Sequence, residues 1–563
     1  MKRRFVSLAL CLLMLVSTFA VASCGEDENP EGTLVIDGST DASAMTLSIW
    51  GIKGEGTTDE AIAMVEEAMS KLTEAQYNTA IDLILLEEDE YEEKLEEYMD
   101  EIQAIKDAKK EAEAARKKAE KEAKAKGETL PPEPEKETES TGDETVLDEY
   151  NLPTTLYPEV AEDQLDIFLI TDYEMLTKFN DKGVLSALDN QLNGECKLIK
   201  SYVHPSLISA GKMGNKTVAI LNQQLVGENT YMLVNKELSD KYYWDIDDFK
   251  TLDDAYLFIR DVKRSEPDYQ PFVGELSPLS CNYFSPNGDK TLFGAMLPPE
   301  AVNGDDIAPS MLFNFTYWRR YTTLYYNLKA YDCFGSETFT PEDKFGVGVL
   351  KGNANDLTPY TENYHVVTLQ SPQGTTENIY NGMFAVSTYT KNVDRSMEVL
   401  MYLNTRAELR NLFGYGIENV HYELDDEGRL TKISDDYNMK LEYTGNCFIA
   451  YAPNGETMDY WNVAKEHNQA LVLSPFFKLE VPEESIDMEY YNYTLGLAND
   501  FYAAMEACKN DEEVAATIDE YWELYENDEM VLEWLNEEPF PQGDKPAVKS
   551  LAKFYKDWSR TKK

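Results

Sequence analysis

The sequence predicts an α/β fold of more than one domain. Residues 46–50 have the composition of a β-strand and lead through a glycine-rich loop into a helix that Thr58 or Asp59 caps. Residues 81–86 have the composition of the next strand, which completes a βαβ unit. A strand followed by a helix recurs at residues 166–180. The length of 563 residues allows roughly two to four domains.

The N-terminus has the order of an export signal. Basic residues at positions 2–4 precede an apolar run over residues 5–22, and small residues then lead to Cys24. This order resembles the bacterial lipoprotein signal, in which the chain is cut before the cysteine and the cysteine is acylated. We therefore expect residues 1–23 to be a signal peptide and Cys24 to carry lipid, palmitate included. A simple secretory signal cut nearby is the alternative.

The segment after the signal is polar. Residues 24–44 are rich in Gly, Asp, Glu and Ser, a composition typical of a flexible tether. No stretch of the sequence after residue 22 is long and apolar enough to span a bilayer. The expected location is therefore extracytoplasmic, with the chain lipid-anchored to the outer face of the bacterial cell membrane.

The chain is strongly acidic. Lys and Arg number 51 and Asp and Glu number 104, so the formal net charge is −53. Nucleic-acid binding is excluded as the main activity, because it needs a basic face. Hydrophobic residues make up 43% and aromatic residues 12%, which is too much for a disordered chain.

The cysteines do not form a recognisable framework. Cys11 lies in the signal and Cys24 is the expected anchor, which leaves five cysteines without CxxC spacing. Buried free thiols are the favoured interpretation, and one or two disulfide bridges are the alternative. The five residues are Cys196, Cys281, Cys333, Cys447 and Cys508.

A charged insertion interrupts the pattern at about residues 104–145. Residues 88–126 are dominated by Glu, Lys and Ala, and pairs such as Glu113 with Lys117 have the spacing that supports an exposed helix. A proline-containing linker follows over residues 130–145. A solvated insertion is the favoured interpretation, and a partner-binding arm is the alternative.

Three segments then follow one another in a familiar order. Residues 166–189 run from a strand through a helix to Gly-Val-Leu-Ser-Ala-Leu-Asp, residues 214–220 read Gly-Asn-Lys-Thr-Val-Ala-Ile, and residues 234–238 read Val-Asn-Lys-Glu-Leu. This order resembles bacterial extracellular solute-binding proteins, the lipoprotein receptors of ABC importers. The hairpin at residues 214–220 departs from the family by its Gly-Asn order and by the lack of a proline.

The second half extends the resemblance. Residues 381–387 look like the family's return strand and residues 394–403 like the helix after it. Residues 415–422 and the C-terminal segment 546–558 resemble a carbohydrate-type subgroup, family 1, although Asn419 stands where that subgroup has glycine. The resemblance covers about residues 45–558.

The resemblance implies a two-lobed periplasmic-binding-protein-like fold of type II. The lobes are joined by a hinge that the chain crosses more than once, and the ligand cleft lies between them. Lobe 1 is expected to comprise 45–224 and 382–445, with the insertion 104–145 inside it, lobe 2 to comprise 225–381 and 446–540, and a C-terminal helix to cover 541–563.

The same resemblance implies a function. A membrane-anchored, monomeric receptor would capture a mono- or oligosaccharide by hinge closure and deliver it to the permease subunits of an ABC importer. A surface glycan-binding or glycan-degrading lipoprotein remains an alternative, and so does a receptor for a non-sugar solute such as a peptide.

Sugar binding needs flat apolar faces and polar partners for hydroxyl groups. Trp50 is expected to close the first strand, and Asp172 and Tyr173 to follow the strand at 166–171, so all three would face the cleft. The related sugar receptors often carry a carboxylate in the second of these loops. The expected ligand-binding residues are Trp50, Asp172, Tyr173, Gln224, Tyr283 and Trp318.

Packing in the core is an alternative interpretation for several aromatic candidates. Trp318, Tyr321 and Tyr325 recur at the spacing of a core-facing helical stripe, so packing is the favoured interpretation for that set. Tyr460 and Trp461 are as compatible with packing as with a roof over the cleft.

Enzymatic signals are weak. None of the four histidines lies in an HExxH motif or near a GxSxG elbow, and the glycines at positions 51–56 lack the lysine of a phosphate-binding loop. We therefore expect no catalytic residues, no cofactor and no bound metal.

Overall fold

This computed structural model describes residues 43–126, 145–147, 153–276, 282–284, 292–297, 309–474, 476–479 and 488–535. Several predictions lie outside these ranges: the signal peptide, Cys24, nearly all of the tether, residues 130–144 of the linker, Cys281 and the C-terminal helix at 541–563.

The strands are numbered in chain order. They are β1 (Met45–Ile52), β2 (Thr79–Leu86), β3 (Thr145–Leu147), β4 (Pro153–Thr155), β5 (Ile167–Ile170), β6 (Lys212–Met213), β7 (Lys216–Thr217), β8 (Ala219–Leu221), β9 (Asn229–Asn235), β10 (Gln270–Val273), β11 (Asn282–Phe284), β12 (Phe293–Leu297), β13 (Pro309–Met311), β14 (Phe345–Gly352), β15 (Tyr364–Gln370), β16 (Gln373–Gly374), β17 (Met383–Val386), β18 (Tyr422–Leu424), β19 (Leu430–Lys432) and β20 (Val472–Leu473).

The α-helices are numbered in the same way. They are α1 (Asp59–Tyr77), α2 (Glu88–Lys126), α3 (Tyr173–Lys182), α4 (Asp189–Asn193), α5 (Ile199–Tyr202), α6 (Pro205–Ala210), α7 (Lys236–Lys241), α8 (Tyr256–Ser265), α9 (Thr316–Ala330), α10 (Ala354–Leu357), α11 (Thr376–Ile379), α12 (Val393–Thr405), α13 (Ala407–Tyr415), α14 (Tyr460–Gln469), α15 (Met488–Ala507), α16 (Asp511–Glu526) and α17 (Glu529–Leu535). Short 3-10 turns include Leu252–Ala255, Leu312–Asn314 and Cys447–Ile449.

The first βαβ unit is confirmed. β1 and β2 pair in parallel along their whole length, and α1 connects them. Thr58 caps α1, because its hydroxyl accepts a hydrogen bond from the Ala61 N–H at 3.2 Å. β1 runs two residues past Trp50, to Ile52, so the prediction that Trp50 closes the strand is wrong.

Lobe 1 is the body built around a five-stranded sheet in the order β2-β1-β5-β17-β8. β2, β1 and β5 are parallel, and β17 runs antiparallel to β5 and β8. All residues of β5 and β17 are buried, which explains why both strands are continuous apolar runs. The predicted hairpin turn at Gly214 and Asn215 joins β6 to β7 beside this sheet.

Lobe 2 is the body built around a four-stranded sheet in the order β10-β14-β9-β15. β10 is parallel to β14, whereas β14 and β15 are antiparallel to β9. Helix α8 buries Phe258, Ile259 and Val262 in the core of this lobe. Asn235 caps α7 through a hydrogen bond from the Leu238 N–H at 3.0 Å, which explains the Asn-Lys-Glu-Leu sequence there.

A cluster of aromatic side chains joins α9 to α15 and α16. The Phe313 ring lies 5.1 Å from that of Phe501 and 5.8 Å from that of Tyr525. The Trp318 ring packs on Phe313 at 4.9 Å. The C-terminal helices are therefore held to α9 by a second apolar core.

The chain crosses between the lobes more than once, as expected for this fold. One crossing runs from β8 to β9, another from β15 to β17, and a third leads through residues 445–447 towards α14. The Cys447 N–H donates to the Gln223 carbonyl at 2.7 Å, which links the first crossing to the third. Gly227 has a φ of +65°, and a Cβ there would lie 2.6 Å from the Gln373 carbonyl oxygen, so this close approach requires glycine.

Helix α2 is packed in its first half and solvated in its second. Tyr91, Leu95, Met99 and Ile102 are buried against lobe 1. From residue 107 onwards the described side chains are nearly all exposed. Within the described ranges no helix, α2 included, combines the length and the apolar composition needed to cross a membrane.

The described cysteines are free thiols, as favoured by the sequence. Cys196, Cys333 and Cys447 are buried, and Cys508 is half-buried. Burial raises the pKa of the Cys196 thiol to about 12, so this thiol stays protonated at neutral pH.

Candidate functional site

The crossings join the lobes at one edge of each sheet. In lobe 1, β1, β5 and β8 end at this edge and β17 begins there. In lobe 2, β10 and β14 end at the corresponding edge and β9 begins there. Ligands of α/β proteins bind at the carboxyl ends of strands, so these two edges define the candidate cleft.

Asp172 lies at the lobe 1 edge, as predicted. It follows β5 and is exposed. Its Oδ1 accepts a hydrogen bond from the Met175 N–H at 2.8 Å, and its Oδ2 accepts one from the Thr171 hydroxyl at 3.1 Å. The carboxylate therefore caps α3 and keeps acceptor capacity, because an ionised carboxylate has about four lone-pair sites.

Tyr173 belongs to a group of rings at the same edge. Its ring lies 4.8 Å from that of Tyr380, which in turn stacks on Phe477 at 5.6 Å. The Lys478 ammonium lies 5.6 Å from the centres of both tyrosine rings. Tyr380 is fully buried, whereas Tyr173 and Phe477 are partly exposed, so these two offer the accessible apolar surface.

Gln224 lies at the first crossing between the lobes and forms hydrogen bonds to two other segments there. Its side-chain Nε2 donates to the Asn381 backbone carbonyl at 2.5 Å. The backbone carbonyl of Gln224 accepts a hydrogen bond from the Asn468 side chain at 2.7 Å. Beside it, the buried Oδ1 of Asn222 and Nε2 of Gln223 have no hydrogen-bond partner among the described residues. Both atoms are buried polar groups beside the lobe 1 edge.

Glu88 and Tyr443 lie beside the lobe 1 edge, where β2 ends. Glu88 pairs with Lys440 at 2.6 Å and accepts a weak hydrogen bond from the Tyr443 hydroxyl at 3.4 Å. Burial, followed by the negative charges of Glu88 and Glu442, raises the pKa of Tyr443 to about 12. Tyr443 is therefore a hydroxyl donor at neutral pH.

Trp50 is not at this edge. Its side chain is 9% exposed and stacks on Tyr98 of α2, with ring centres 4.9 Å apart. Its indole Nε1 has no hydrogen-bond partner within the described part of the chain. The structure therefore places Trp50 in the core of lobe 1, because α2 covers the face of β1 on which it lies.

Lobe 2 contributes a pocket at the carboxyl end of β10. The cavity has a volume of 410 Å³ and lies between α9 and α15, next to Leu276. We call it the aromatic pocket. Its aromatic lining consists of Trp318, Tyr321, Tyr325, Tyr326 and Tyr502.

The aromatic pocket has both apolar faces and polar groups. The Tyr325 and Tyr326 rings meet edge to face at 5.0 Å, and Tyr325 is partly exposed. Burial raises the pKa of Tyr502 to about 12, so its hydroxyl is protonated at neutral pH. Thr322, Asn499 and Glu506 supply the polar lining. This combination suits a polyhydroxylated ring compound, which needs stacking surfaces and hydrogen-bond partners.

Trp318 combines the two interpretations of its helix. It is 5% exposed and packs into the second core, yet it also borders the aromatic pocket. Tyr321 and Tyr325 also line the aromatic pocket and are partly exposed. The stripe at i, i+3 and i+7 is thus a core stripe at one end and a pocket wall at the other.

The remaining candidates lie elsewhere. The backbone of Tyr283 lies in β11, opposite Met296 of β12. The indole of Trp461 donates to the Tyr451 carbonyl at 2.9 Å, and the Tyr460 carbonyl accepts from Asn355 of lobe 2 at 3.3 Å. Both α14 residues are partly buried, and these contacts lie within lobe 2.

Sequence reasoning missed the contribution of α15. Asn499, Tyr502 and Glu506 recur at the i, i+3, i+7 spacing of one helical face and line the aromatic pocket. They follow no strand, so the rule that ligands bind at strand ends could not identify them. Among the described residues no group of His, Cys, Asp or Glu side chains is placed to hold a metal ion.

Two solved structures to which this chain is similar are solute-binding proteins. An N-glycan transport solute-binding protein (NgtS) from Streptococcus pneumoniae is 16% identical, with a TM-score of 0.51, over 92% of this chain and 100% of that one. An HMO-binding, ABC-transporter-associated solute-binding protein from Bifidobacterium longum infantis is 14% identical, with a TM-score of 0.43, over 92% and 99%.

No family model matches the sequence, and no curated protein does. The similarity to the pneumococcal structure covers 92% of this chain, which is more than either lobe alone comprises. The chain therefore has the two-lobed α/β fold of the extracellular solute-binding proteins of ABC transporters.

Proposed function

We propose that this protein is an extracytoplasmic receptor that captures an oligosaccharide between its lobes and delivers it to an ABC importer. The observation that carries the proposal is the aromatic pocket, which lies at the carboxyl end of the lobe 2 sheet. Across the hinge, Asp172 and Tyr173 offer a carboxylate and a ring at the matching edge of lobe 1.

The two edges have complementary tasks in this proposal. Tyr325 and Tyr502 provide faces that remove the apolar carbons of a sugar ring from water. Asp172 accepts hydrogen bonds from hydroxyl groups, and so does Glu506, whose Oε2 also pairs with Lys329. Such charge-assisted bonds are strong and directional. Closure of lobe 1 over the pocket excludes water from both sets of contacts, which strengthens them.

The ligand class is proposed from this chemistry and from the fold. The pneumococcal neighbour is described as an N-glycan transport protein. Several tyrosines in a cavity of 410 Å³ provide more stacking surface than a single sugar ring covers, which favours an oligosaccharide over a monosaccharide.

The cellular context is part of the proposal. Cys24 is the lipid anchor, the permease subunits of an ABC importer are the protein partners, and the receptor acts as a monomer without catalysing a reaction. Replacement of Cys24 by Ala would release the protein from the membrane fraction, whereas continued lipid labelling would contradict the anchor.

A ligand screen tests the proposal. Melting temperatures are recorded with manno-, chito- and gluco-oligosaccharides, their monosaccharides, amino acids and short peptides, because a ligand of the native state raises the melting temperature. We expect saturable stabilisation by at least one oligosaccharide. Stabilisation by peptides alone would replace the carbohydrate by a peptide as the proposed ligand.

The pocket is then tested by substitution. Tyr325→Ala should weaken the affinity for the identified oligosaccharide by about 1–3 kcal/mol, the scale of a lost aromatic contact. Tyr243→Ala is the matched control, because Tyr243 lies in lobe 2 and is 95% exposed. Equal affinities of the two variants by titration calorimetry would exclude the aromatic pocket as the site.

A further inference from the structure

Helix α9 borders a second cavity on the face opposite to the aromatic pocket. Thr316, Arg320, Thr323 and Asn327 recur along one side of α9, about half a turn from Trp318. They form the floor of a cavity of 490 Å³ whose walls come from the Leu252–Ala255 turn, α8 and α16. Apolar side chains, including Leu324 and Ile518, also line this cavity. We call it the polar pocket after the polar and charged groups on its α9 side. The helix separates it from the aromatic pocket.

The two arginines of the polar pocket have different interaction partners. Arg320 is neutralised by Asp253, with Nη2 and Oδ2 2.7 Å apart. Arg319 instead lies over the indole of Trp522, at 4.5 Å, and forms no ion pair within the described part of the chain. An arginine that stacks on a ring keeps its N–H groups available at the edge of the guanidinium plane.

The indole of Trp522, on which the Arg319 guanidinium stacks, is also hydrogen-bonded. Its Nε1 donates a hydrogen bond to the Asn314 side chain at 3.2 Å. Arg319 therefore has a fixed support and an uncompensated charge at the rim of the pocket. Such a group is suited to bind a carboxylate through two parallel hydrogen bonds.

The floor holds an unsatisfied amide. Asn327 is 7% exposed, and its Oδ1 accepts no hydrogen bond from any residue that the structure describes. A buried acceptor without a partner destabilises the folded state, so a ligand that donates to it gains affinity. Asp519 adds a second acceptor at the wall, on α16.

We propose that the polar pocket binds a small hydroxylated carboxylate at a site separate from the sugar cleft. Arg319 binds the carboxylate, and hydroxyl groups of the ligand donate to Asn327 and Asp519. The volume of 490 Å³ accommodates a molecule the size of a sugar acid. Asp253 is paired with Arg320, whereas Asp519 repels an anion unless hydroxyl groups of the ligand donate hydrogen bonds to it.

Titration calorimetry with sodium D-glucuronate tests this proposal, with D-glucose and acetate as comparison ligands. We expect saturable binding of glucuronate and affinities at least about tenfold weaker for glucose and acetate, since each lacks one half of the contacts. Absence of saturable glucuronate binding would overturn the proposal.

Three variants locate the bound glucuronate. Arg319→Gln and Asn327→Leu should each weaken binding about tenfold or more, the scale of a lost charged or buried hydrogen bond. Arg264→Gln, which changes an arginine of α8 that is 77% exposed, should leave it unchanged. Two independent variants keep the test valid if one of them fails to fold.

The aromatic pocket provides the remaining comparison. Tyr325→Ala should leave glucuronate binding unchanged, because α9 separates the two cavities. If Tyr325→Ala abolished glucuronate binding while Arg319→Gln retained it, the ligand would be in the aromatic pocket and the polar pocket would not be a site. Either result is independent of oligosaccharide binding in the cleft.

Discussion

The two edges of the candidate cleft use their side chains differently. At the lobe 1 edge, Asp172 caps a helix and Gln224 ties the crossings together. At the lobe 2 edge, Tyr325 and Tyr502 border an open cavity of 410 Å³. Residues of the first edge therefore maintain the fold while they face the cleft, whereas those of the second edge present rings to it.

From this difference we expect substitutions at the two edges to have different effects, on stability in lobe 1 and on ligand affinity in the aromatic pocket. A lobe 1 substitution removes hydrogen bonds or packing that the folded state needs. A substitution in the aromatic pocket removes surface that contributes mainly when a ligand is present. The predictions below separate these two outcomes, from the largest effect to the smallest.

The largest effect is expected for Trp50, in the core of lobe 1. Trp50→Ala should lower the free energy of unfolding by about 3–5 kcal/mol, because it leaves a cavity beneath Tyr98. Trp50→Phe keeps a ring against Tyr98 and removes the unpartnered Nε1, so its loss should be smaller. Urea denaturation measures both. If Trp50→Ala were as stable as the wild type but bound the ligand more weakly, Trp50 would be a ligand-binding residue of the cleft.

Tyr502 tests the opposite edge. Tyr502→Ala should weaken the affinity for the identified oligosaccharide by about 1–3 kcal/mol, and Tyr502→Phe by about 1 kcal/mol or less, since only the hydroxyl is lost. Titration calorimetry separates the ring from the hydroxyl contribution. If Tyr502→Ala bound as tightly as the wild type, the ring would serve packing only.

Asp172 belongs to both categories, and two substitutions distinguish them. Asp172→Ala removes the cap of α3 and should cost about 1 kcal/mol of stability. Asp172→Asn should be nearly neutral for stability, because asparagine caps equally well. Both variants should bind the oligosaccharide more weakly. Wild-type affinity of Asp172→Asn, measured by calorimetry, would show that the charge does not contact the ligand.

Much of the fold was predictable because local signals agree with the packing. The Thr58 cap, the apolar strand at residues 166–171 and the hairpin turn at Gly214 all lie close to their predicted positions. Each of these features depends on residues near in sequence. The resemblance to solute-binding proteins added the two-lobed arrangement, which the structure confirms.

The site was less predictable because it depends on contacts distant in sequence. Trp50 has a strand-end pattern, yet α2 covers it through Tyr98, and nothing near residue 50 indicates that cover. Tyr502 reaches the aromatic pocket because the second core, around Phe313, docks α15 on α9. Its position therefore follows from packing between segments almost 200 residues apart, which a local pattern does not encode.

The smallest effect is expected for the distal part of α2. Deleting residues 111–144 and joining the ends by a short linker should change the free energy of unfolding by less than about 0.5 kcal/mol, because the described side chains there are nearly all exposed and none belongs to the core. A deletion that starts at residue 102 is the matched control, since it removes the buried Ile102 and the pair between Lys109 and Asp163 at 2.8 Å. That control should lose about 2–5 kcal/mol, as buried aliphatic side chains do. Urea denaturation compares the two, and oligosaccharide affinity should be unchanged in the shorter deletion. If both deletions were equally destabilising, the distal helix would be part of the folded body rather than a solvated projection.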